Sequence, residues 1–320
     1  MNIKLILIVL GEPYSTFSEI FAKYFTKYKK IKKKIIIVGN LNLLEKQINK
    51  LKYNLNLNKI TSIEEAKEKT INIIDIEFKY KKVFTNISEI SNNYIKECFD
   101  KAIEILKKCK EECVLINGPI SKKHFLKKNF LGITEYLSNK TQSSGEVMLI
   151  YNEKISVSPL TTHVPIKYVS KMISKRRIVK NVQLINKFYK KMLKKEIKFA
   201  VLGLNPHCET IDKFNEDEKI VKPSIKYLKR KKIIIDGPFS ADTFFLKKNI
   251  KKYDVVIGMY HDQVLIPVKT LFNFNAINIT IGLPFIRISP DHGPNVQMLG
   301  KNKSDYSSLS YAIKFIEKLK

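Results

Sequence analysis

The sequence predicts an α/β fold in which helices cover both faces of mostly parallel, doubly wound sheets. Strand-like apolar runs alternate with amphipathic helical stretches along the whole chain. Several runs end in residues that handle protons or anions, most clearly within 253–293, which is typical of sites at the carboxyl edges of open sheets. With 320 residues and 44% hydrophobic content, the chain can form one large or two medium domains.

The apolar runs and helical spacings place the elements in order. Predicted strands lie at 3–10, 34–39, 71–76, 113–116, 147–151, 155–159, 198–203, 233–235, 255–257 and 276–281. Predicted helices lie at 18–29, 43–51, 92–110, 217–229 and 306–319, with one more ending near 193. The strands at 147–151 and 155–159 are predicted to pair antiparallel, and Gly237-Pro238 is predicted to open a loop.

The net charge of +29 raises the question of nucleic-acid binding. Only four of the 59 basic residues are arginines, and the remaining 55 lysines are spread over the chain. Arginine is the better reader of phosphates and bases, and nothing here concentrates it. The composition therefore indicates a general drift toward lysine, and we predict no nucleic-acid partner.

The chain is expected to be cytoplasmic. No apolar run approaches the roughly 18 residues that a membrane span needs, so no membrane partner is predicted. The opening run at 3–10 leads into Gly-Glu-Pro without a small-residue cleavage site and is predicted to be a buried strand. The four cysteines include no C-x-x-C and are predicted to be buried or half-buried thiols, with zinc pairing of Cys109 and Cys113 as the alternative.

Three of the five histidines share one position relative to the predicted strands. His163, His207 and His261 each lie one to a few residues past an apolar run. Neighbouring parallel strands would bring these loops together, and imidazole nitrogens suit zinc or a similar ion. The pattern predicts a divalent metal site; the alternative is three ordinary polar residues with satisfied hydrogen bonds.

Lys269, Asn278 and Arg287 follow His261 along the chain. An ammonium, an amide and a planar guanidinium together suit an anionic ligand. Arg287 is the informative member, because about one residue in six is lysine and arginine is rare. Neither G-x-G-x-x-G nor a Walker loop is present, so a dinucleotide would need another binding device.

The motifs and their order resemble a known family. The set GLNPH, GPFSADTFF, MYHDQ, NITIGLPFIR and DHG spans 203–293, and the earlier pieces are GEP, NGPISK, GITEYL and TTHVP. In this order they are similar to the 4-hydroxythreonine-4-phosphate dehydrogenases of vitamin B6 biosynthesis. The similarity runs nearly from end to end.

The resemblance implies two α/β/α domains of the isocitrate/isopropylmalate dehydrogenase type with an interdomain cleft. The first domain would contain 1–116 and 290–320, and the second 117–289. It also implies a cytoplasmic homodimer with the active site at the dimer interface. The implied reaction is NAD- or NADP-dependent oxidation of 4-phosphooxy-L-threonine, followed by loss of CO2 to give 3-amino-2-oxopropyl phosphate.

The resemblance also implies roles for individual residues. His163, His207 and His261 would be ligands of a divalent metal, zinc first, with magnesium or cobalt as alternatives. Asp242 would lie near the metal and is the candidate catalytic residue. The residues that would bind the substrate, chiefly its phosphate, are Thr134, Lys269, Asn278 and Arg287. Cofactor binding falls to His292 and Gly293.

Three departures from the family pattern bear on function. The family start GEPAGIGPE is GEPYSTFSE here, and GHTE is GITE, so that Ile133 replaces a substrate-contacting histidine. Gln297 stands where the family has an acidic residue in the loop expected to meet the cofactor. The metal set is intact, and we interpret the changes as drift with retained but weaker activity.

Two alternative functions follow from these departures. One is a dehydrogenase of a related phosphorylated four-carbon acid, of the threonate or erythronate type, which kinetics on both substrates would separate. The other is a non-catalytic remnant or basic binding protein. That hypothesis predicts salt-sensitive nucleic-acid binding and no bound metal.

Overall fold

The computed structural model describes residues 3–28, 33–109, 113–127, 129–130, 132–272, 276–290 and 293–319. The chain divides into two compact units. Unit 1 contains Met1–Ser144 and Leu283–Lys320, and unit 2 contains Gly145–Gly282.

The elements follow the predicted alternation of strands and helices, whereas the helices at 133–140, 241–244, 247–250 and 261–272 were not predicted. The strands are β1 (Leu5–Val9), β2 (Lys34–Gly39), β3 (Leu57–Ile60), β4 (Ile71–Asp75), β5 (Cys113–Asn117), β6 (Val147–Tyr151), β7 (Ser156–Thr161), β8 (Phe199–Leu202), β9 (Ile235–Phe239), β10 (Val255–Tyr260), β11 (Ile277–Ile281) and β12 (Ile286–Ser289). The helices are α1 (Phe17–Lys27), α2 (Leu41–Lys50), α3 (Asn92–Cys109), α4 (Ile133–Lys140), α5 (Val169–Met172), α6 (Lys175–Phe188), α7 (Lys222–Arg230), α8 (Ala241–Phe244), α9 (Lys247–Ile250), α10 (His261–Phe272) and α11 (Ser307–Lys318).

Unit 1 is built on parallel strands in the order β3-β4-β2-β1-β5-β12. Every residue of β1 is buried, so both faces of the sheet are covered, as parallel sheets require. Helix α3 places Ile95, Phe99 and Ala102 in the same core as Leu7 of β1. This is the apolar face that the helical spacing at 92–110 predicts.

Unit 2 has strands in the order β11-β6-β7-β10-β8-β9. Strand β6 runs antiparallel to both of its neighbours, which confirms the predicted antiparallel pairing with β7. Strands β7, β10, β8 and β9 are parallel to one another. Each unit is therefore an α/β structure with a mostly parallel sheet, and the predicted fold class is confirmed.

Three strands differ from the sequence prediction. Strand β9 continues through Gly237 and Pro238, where a loop was expected, and β3 and β12 were not expected at all. Both β9 and β3 lie at the outer end of their unit's strand order. A strand with one unpaired side tolerates proline and polar residues, because fewer of its groups need ladder partners or apolar neighbours. Strand β12 is short and carries Arg287, which masks its apolar character.

The division into units also differs from the predicted boundaries. Residues 117–144 and 283–289 belong to unit 1, whereas the predicted second domain, 117–289, includes them. The pairing of β12 with β5 accounts for part of the difference, because it draws 286–289 into the sheet of unit 1.

Two expectations about composition can be compared with the structure. Cys98 and Cys113 are buried, and Cys109 and Cys208 are half-buried, as predicted. In the described part of the chain, no helix combines the length and the apolar character that crossing a bilayer requires.

Candidate active site

The carboxyl ends of four adjacent strands in unit 2 carry most of the residues predicted for catalysis. His163 lies two residues after β7, His261 begins α10 directly after β10, and His207 lies five residues after β8. Asp242 lies in α8, which follows β9. Since these strands are parallel neighbours, one edge of the sheet gathers the three imidazoles and the carboxylate.

Specific contacts link these side chains in pairs. The ring centroids of His163 and His261 are 5.9 Å apart. The hydroxyl of Ser240 lies 3.3 Å from His207 Nδ1 and donates a hydrogen bond of 2.8 Å to Asp242 Oδ1. Ser240 therefore connects His207 to Asp242. This role of Ser240 was not predicted, because a serine after a strand carries no distinctive pattern.

Two of the three imidazoles have a side-chain oxygen close to Nδ1. His261 Nδ1 lies 2.7 Å from Asp262 Oδ1, and His207 Nδ1 faces the Ser240 hydroxyl. In metal sites an oxygen commonly holds the ring nitrogen that does not bind the ion, which leaves the other nitrogen as ligand. The donor set therefore fits a divalent ion in its chemistry. Across the described ranges, no group of three or more His, Cys, Asp or Glu side chains already stands in a metal-binding arrangement.

The backbone at His207 is strained. His207 has φ 55° and Cys208 has φ 62°, so two successive non-glycine residues adopt the left-handed region. Such a conformation costs roughly 1–2 kcal/mol per residue and persists where surrounding structure imposes it. An observed outlier of this kind at a predicted metal ligand supports a functional role for the loop.

A buried carboxylate holds this strained loop in place. Asp217 is fully buried, and its oxygens accept hydrogen bonds from the backbone N–H groups of Leu204 at 2.8 Å and Asn205 at 3.0 Å. The Asn205 amide donates a third bond of 3.1 Å to the same carboxylate. Asp217 was predicted only to be the start of a helix. Its role depends on a contact across the loop that spacing does not reveal.

Gln263 ties the loop to the neighbouring strand. Its amide nitrogen donates to the Gly203 carbonyl at 2.8 Å, and its oxygen accepts from the Met259 N–H at 2.7 Å. A Cβ at Gly203 would lie 2.6 Å from Cys208 Sγ, so only glycine fits there without a shift. The GLNPH and MYHDQ motifs are therefore parts of one packed structure.

Asp242 is held in its charged form. The hydrogen bond from Ser240 lowers the pKa of Asp242, and attraction to His207 adds to the effect. The side chain is exposed, so it can exchange a proton with a ligand or with water at this edge.

A second group of predicted residues lies in unit 1 around Arg287. Arg287 is only 2% exposed; its Nε donates to Asn117 Oδ1 at 2.7 Å and its Nη1 to Thr134 Oγ1 at 2.9 Å. Burial lowers the pKa of Arg287 to about 10, against the attraction of Glu135, so the guanidinium stays cationic at neutral pH. The structure thus joins two predicted substrate residues, Thr134 and Arg287, and adds Asn117.

Two further predicted substrate residues lie in unit 2. Lys269 is exposed on α10, and Asn278 is half-buried in β11. The Asn278 Oδ1 atom is buried, and none of the described residues donates a hydrogen bond to it. An unmatched acceptor of this kind is unusual and is compatible with a ligand that donates to it.

The carboxyl edge of unit 1 is where a cofactor would be expected. The Glu12 N–H donates to the Pro119 carbonyl at 2.9 Å, and the Thr16 N–H to the Pro294 carbonyl at 3.0 Å, so three loops meet there. The buried hydroxyls of Thr16 and Ser304 lack hydrogen-bond partners among the described residues, which fits a polar ligand nearby. Gly293 is exposed in this region, whereas His292 lies outside the described residues.

Comparison with known proteins gives consistent matches along the chain. The family model described as "Pyridoxal phosphate biosynthetic protein PdxA" matches residues 30–316. A 4-hydroxythreonine-4-phosphate dehydrogenase from Sulfurihydrogenibium sp. is 35% identical over 98% of this chain and 97% of its own length. A D-threonate 4-phosphate dehydrogenase from Salmonella typhimurium is 28% identical over the full length of both chains.

Solved structures show the same relationship at the level of the fold. A 4-hydroxythreonine-4-phosphate dehydrogenase from Klebsiella pneumoniae has a TM-score of 0.83 at 26% identity and covers 98% of both chains. An isocitrate dehydrogenase from Methylococcus capsulatus has a TM-score of 0.50 at 9% identity, covering 98% of this chain and 85% of its own. The latter shows a shared fold alone, of the type that the motifs predict.

Proposed function

The chain belongs to the PdxA family of pyridoxal phosphate biosynthetic proteins, and from this premise we propose that it is a 4-hydroxythreonine-4-phosphate dehydrogenase. It would oxidise the carbon-3 hydroxyl of 4-phosphooxy-L-threonine, passing a hydride to NAD or NADP and a proton to a protein group or water. Loss of CO2 would then give 3-amino-2-oxopropyl phosphate. The observation that carries this proposal is the assembly of three histidines and Asp242 at the ends of four adjacent strands.

His163, His207 and His261 are the proposed ligands of a divalent metal. Zinc is the first choice for three imidazoles, with magnesium or cobalt as alternatives. The contacts of Asp262 and Ser240 with two of the imidazoles support this assignment. When bound, the metal would supply Lewis-acid polarisation of the substrate oxygen, and the nicotinamide would supply the hydride acceptor.

Arg287, Thr134, Lys269 and Asn278 are the proposed substrate residues. The cationic Arg287 would offer its planar fork to the phosphate, and Lys269 a second positive charge. Asn117 and Thr134 fix the orientation of the guanidinium, so little rotamer freedom would be lost on binding. The unmatched Oδ1 of Asn278 would accept a hydrogen bond from the substrate.

Asp242 is the proposed general base. Its carboxylate is charged at neutral pH, because Ser240 stabilises the ionised form. It shares Ser240 with His207, which would keep it close to the substrate hydroxyl that the metal site orients.

The cofactor and the assembly are further parts of the proposal. Gly293 at the carboxyl edge of unit 1 is a proposed cofactor contact, and His292 stays a prediction from the family motif. We propose a cytoplasmic homodimer with the active site at its interface and neither a nucleic-acid nor a membrane partner. NAD and NADP are both compatible with the residues present.

One specific residue favours a second candidate function. Ile133, the first residue of α4, stands beside Thr134 where the family motif has a histidine. An apolar side chain there removes a hydrogen-bond partner from the substrate site. The second candidate substrate is D-threonate 4-phosphate, because a relative from Salmonella typhimurium is a D-threonate 4-phosphate dehydrogenase.

The two functions are separated by kinetics on both substrates. We expect purified, zinc-loaded protein to form NADH or NADPH from 4-phosphooxy-L-threonine with a kcat/KM at least about tenfold above that for D-threonate 4-phosphate. A chelator should abolish the turnover, and added zinc should restore it. The reverse preference would assign the second function, and absence of turnover with both would refute the dehydrogenase proposal.

A further inference from the structure

A buried ion pair on α1 holds the segment 293–306, which follows β12. Glu19 is 1% exposed and the Lys23 side chain 16%, and they lie four residues apart on the same helical face. We call these two residues the α1 clamp. Glu19 is the last residue of the GEPYSTFSE motif, and no role has been assigned above to either residue.

The clamp contacts the segment through its backbone. Glu19 Oε1 accepts a hydrogen bond from the Ser304 N–H at 2.5 Å, and Oε2 accepts from the Asn302 N–H at 3.1 Å. Lys23 Nζ donates to the carbonyls of Asn302 at 3.0 Å and Ser304 at 2.7 Å, and to Glu19 at 2.9 Å. The clamp therefore binds both the N–H and the C=O group of Asn302, and likewise of Ser304.

Burying two charged groups to hold a loop has a free-energy cost. A buried charge is destabilising unless it is fully paired, and an apolar contact would join a loop to a helix at least as well. Asn302 adopts the left-handed region, with φ 56°, which asparagine tolerates better than most non-glycine residues, and the clamp binds both of its backbone groups in that conformation. The clamp therefore specifies one conformation of the segment rather than merely attaching it.

The position of the segment suggests what that conformation serves. The segment leaves the sheet of unit 1 at its carboxyl edge, the edge at which open α/β sheets bind ligands. Its start is tied to α1 by the Thr16 N–H, which donates to the Pro294 carbonyl. Buried, unmatched hydroxyls of Thr16 and Ser304 lie at the two ends of this connection.

We propose that Glu19 and Lys23 are positioning residues for the nicotinamide cofactor. They would hold the backbone of 293–304 in the conformation that the cofactor meets, without touching the cofactor themselves. This inference rests on the proposed function for the existence of a nicotinamide ligand. It does not depend on the identity of the acid that is oxidised.

Two variants and one control test the proposal on the full-length protein. Glu19→Gln keeps the shape but turns a donor toward a backbone N–H, and Lys23→Met removes both bonds to the carbonyls. Glu104→Gln is the control, because Glu104 forms exposed ion pairs with Lys101 and Lys108 on the surface of α3. For each we would measure the Kd of NADH and NADPH, the KM of both substrates, and backbone hydrogen exchange across 293–306.

The expected result is selective. Each clamp variant should weaken cofactor binding by about tenfold, leave the KM for the phosphorylated acid within about twofold, and speed exchange in 293–306. The control should match the wild type. If Glu19→Gln does not fold, the result for Lys23→Met decides the test.

Three outcomes would overturn the inference. Faster exchange with an unchanged cofactor Kd would make the clamp structural only, and so would equal weakening of both ligands. Absence of NADH and NADPH binding by the wild type would remove the ligand itself. By contrast, wild-type protein that binds cofactor but turns over neither acid would refute the proposed function. The cofactor Kd of the clamp variants would then still test the positioning role of Glu19 and Lys23.

Discussion

Arg287 donates a hydrogen bond of 2.9 Å to the hydroxyl of Thr134, a residue 153 positions earlier in the chain. The contact is part-buried, and the guanidinium is held on its other side by Asn117. Two residues that the family motif assigns to the same phosphate are thus adjacent in the folded chain. This adjacency allows the role of Arg287 to be tested by a conservative change.

Arg287→Lys should raise the KM for the phosphorylated substrate by about tenfold or more, with a smaller effect on kcat, because a planar fork becomes a point charge. It should also destabilise the fold by about 1–3 kcal/mol, since Asn117 Oδ1 loses its donor in a buried place. Steady-state kinetics and urea unfolding measure the two effects. Arg230→Lys, at an exposed position on α7, is the control, and an unchanged KM in Arg287→Lys would remove Arg287 from the site.

Replacement of His207 by glycine should separate stability from function. Glycine relieves the left-handed strain at φ 55°, so Tm and the free energy of unfolding should stay equal or rise, by up to about 1 kcal/mol. Zinc binding, measured by elemental analysis, and turnover should both be lost. His124→Ala should keep both. A glycine variant that retains zinc and activity would contradict the metal assignment.

Asp217→Asn should weaken metal binding although Asp217 is not a proposed ligand. The amide keeps one acceptor oxygen for the backbone N–H groups of Leu204 and Asn205 but turns a donor toward the other. Loosening of the loop that carries His207 should reduce zinc affinity by roughly 10–100-fold, as loss of an outer-shell partner does in other sites. Asp212→Asn, exposed in the same loop, should leave the affinity unchanged. Equal affinities in the two variants would show that the Asp217 network does not support the site.

Glu12 should make the stability of the protein depend on pH. It is 2% exposed, and burial raises its pKa from 4.5 to about 7, against hydrogen bonds from the Tyr14 N–H and the Ser91 hydroxyl. Because the folded chain holds this proton more tightly than the unfolded chain, the associated stability is fully present below pH 4.5 and is lost as the pH rises through about 7.

Glu12→Gln removes this titration while keeping the shape of the side chain. The variant should exceed the wild type in free energy of unfolding by up to about 3 kcal/mol at pH above 7 and match it in acid. Urea unfolding across the pH range measures the difference, with the exposed Glu97→Gln as control. A constant difference between Glu12→Gln and the wild type at all pH values would show that Glu12 does not titrate in this range.

The sequence predicts the central strands well and the outer strands poorly, for a physical reason. Residues of β1 and β10 are buried on both faces of a sheet, so these strands consist of continuous apolar runs. Strands β3 and β9 lie at the outer end of each unit's order and are largely half-buried, so polar residues and a proline suffice there. Their pairing is set by the neighbouring strand more than by their own sequence.

The candidate site divides in the same way. The placement of the three histidines at one sheet edge could be predicted, because each lies one to five residues after a strand and parallel strands bring their ends together. The supporting roles of Ser240 and Asp217 depend on contacts between loops. Such contacts cannot be predicted from a local sequence pattern. The near-complete burial of Arg287 was also not predictable, since the short strand that carries it is interrupted by the arginine itself.

The proposed reaction couples oxidation of 4-phosphooxy-L-threonine to its decarboxylation. The most direct measurement uses substrate labelled in the carboxyl carbon and zinc-loaded protein, and follows NADH or NADPH and labelled CO2 together. We expect both products to appear in equal amounts and their formation to stop when a chelator removes the metal. Reduced cofactor without CO2, or neither product from protein that binds zinc and cofactor, would contradict it.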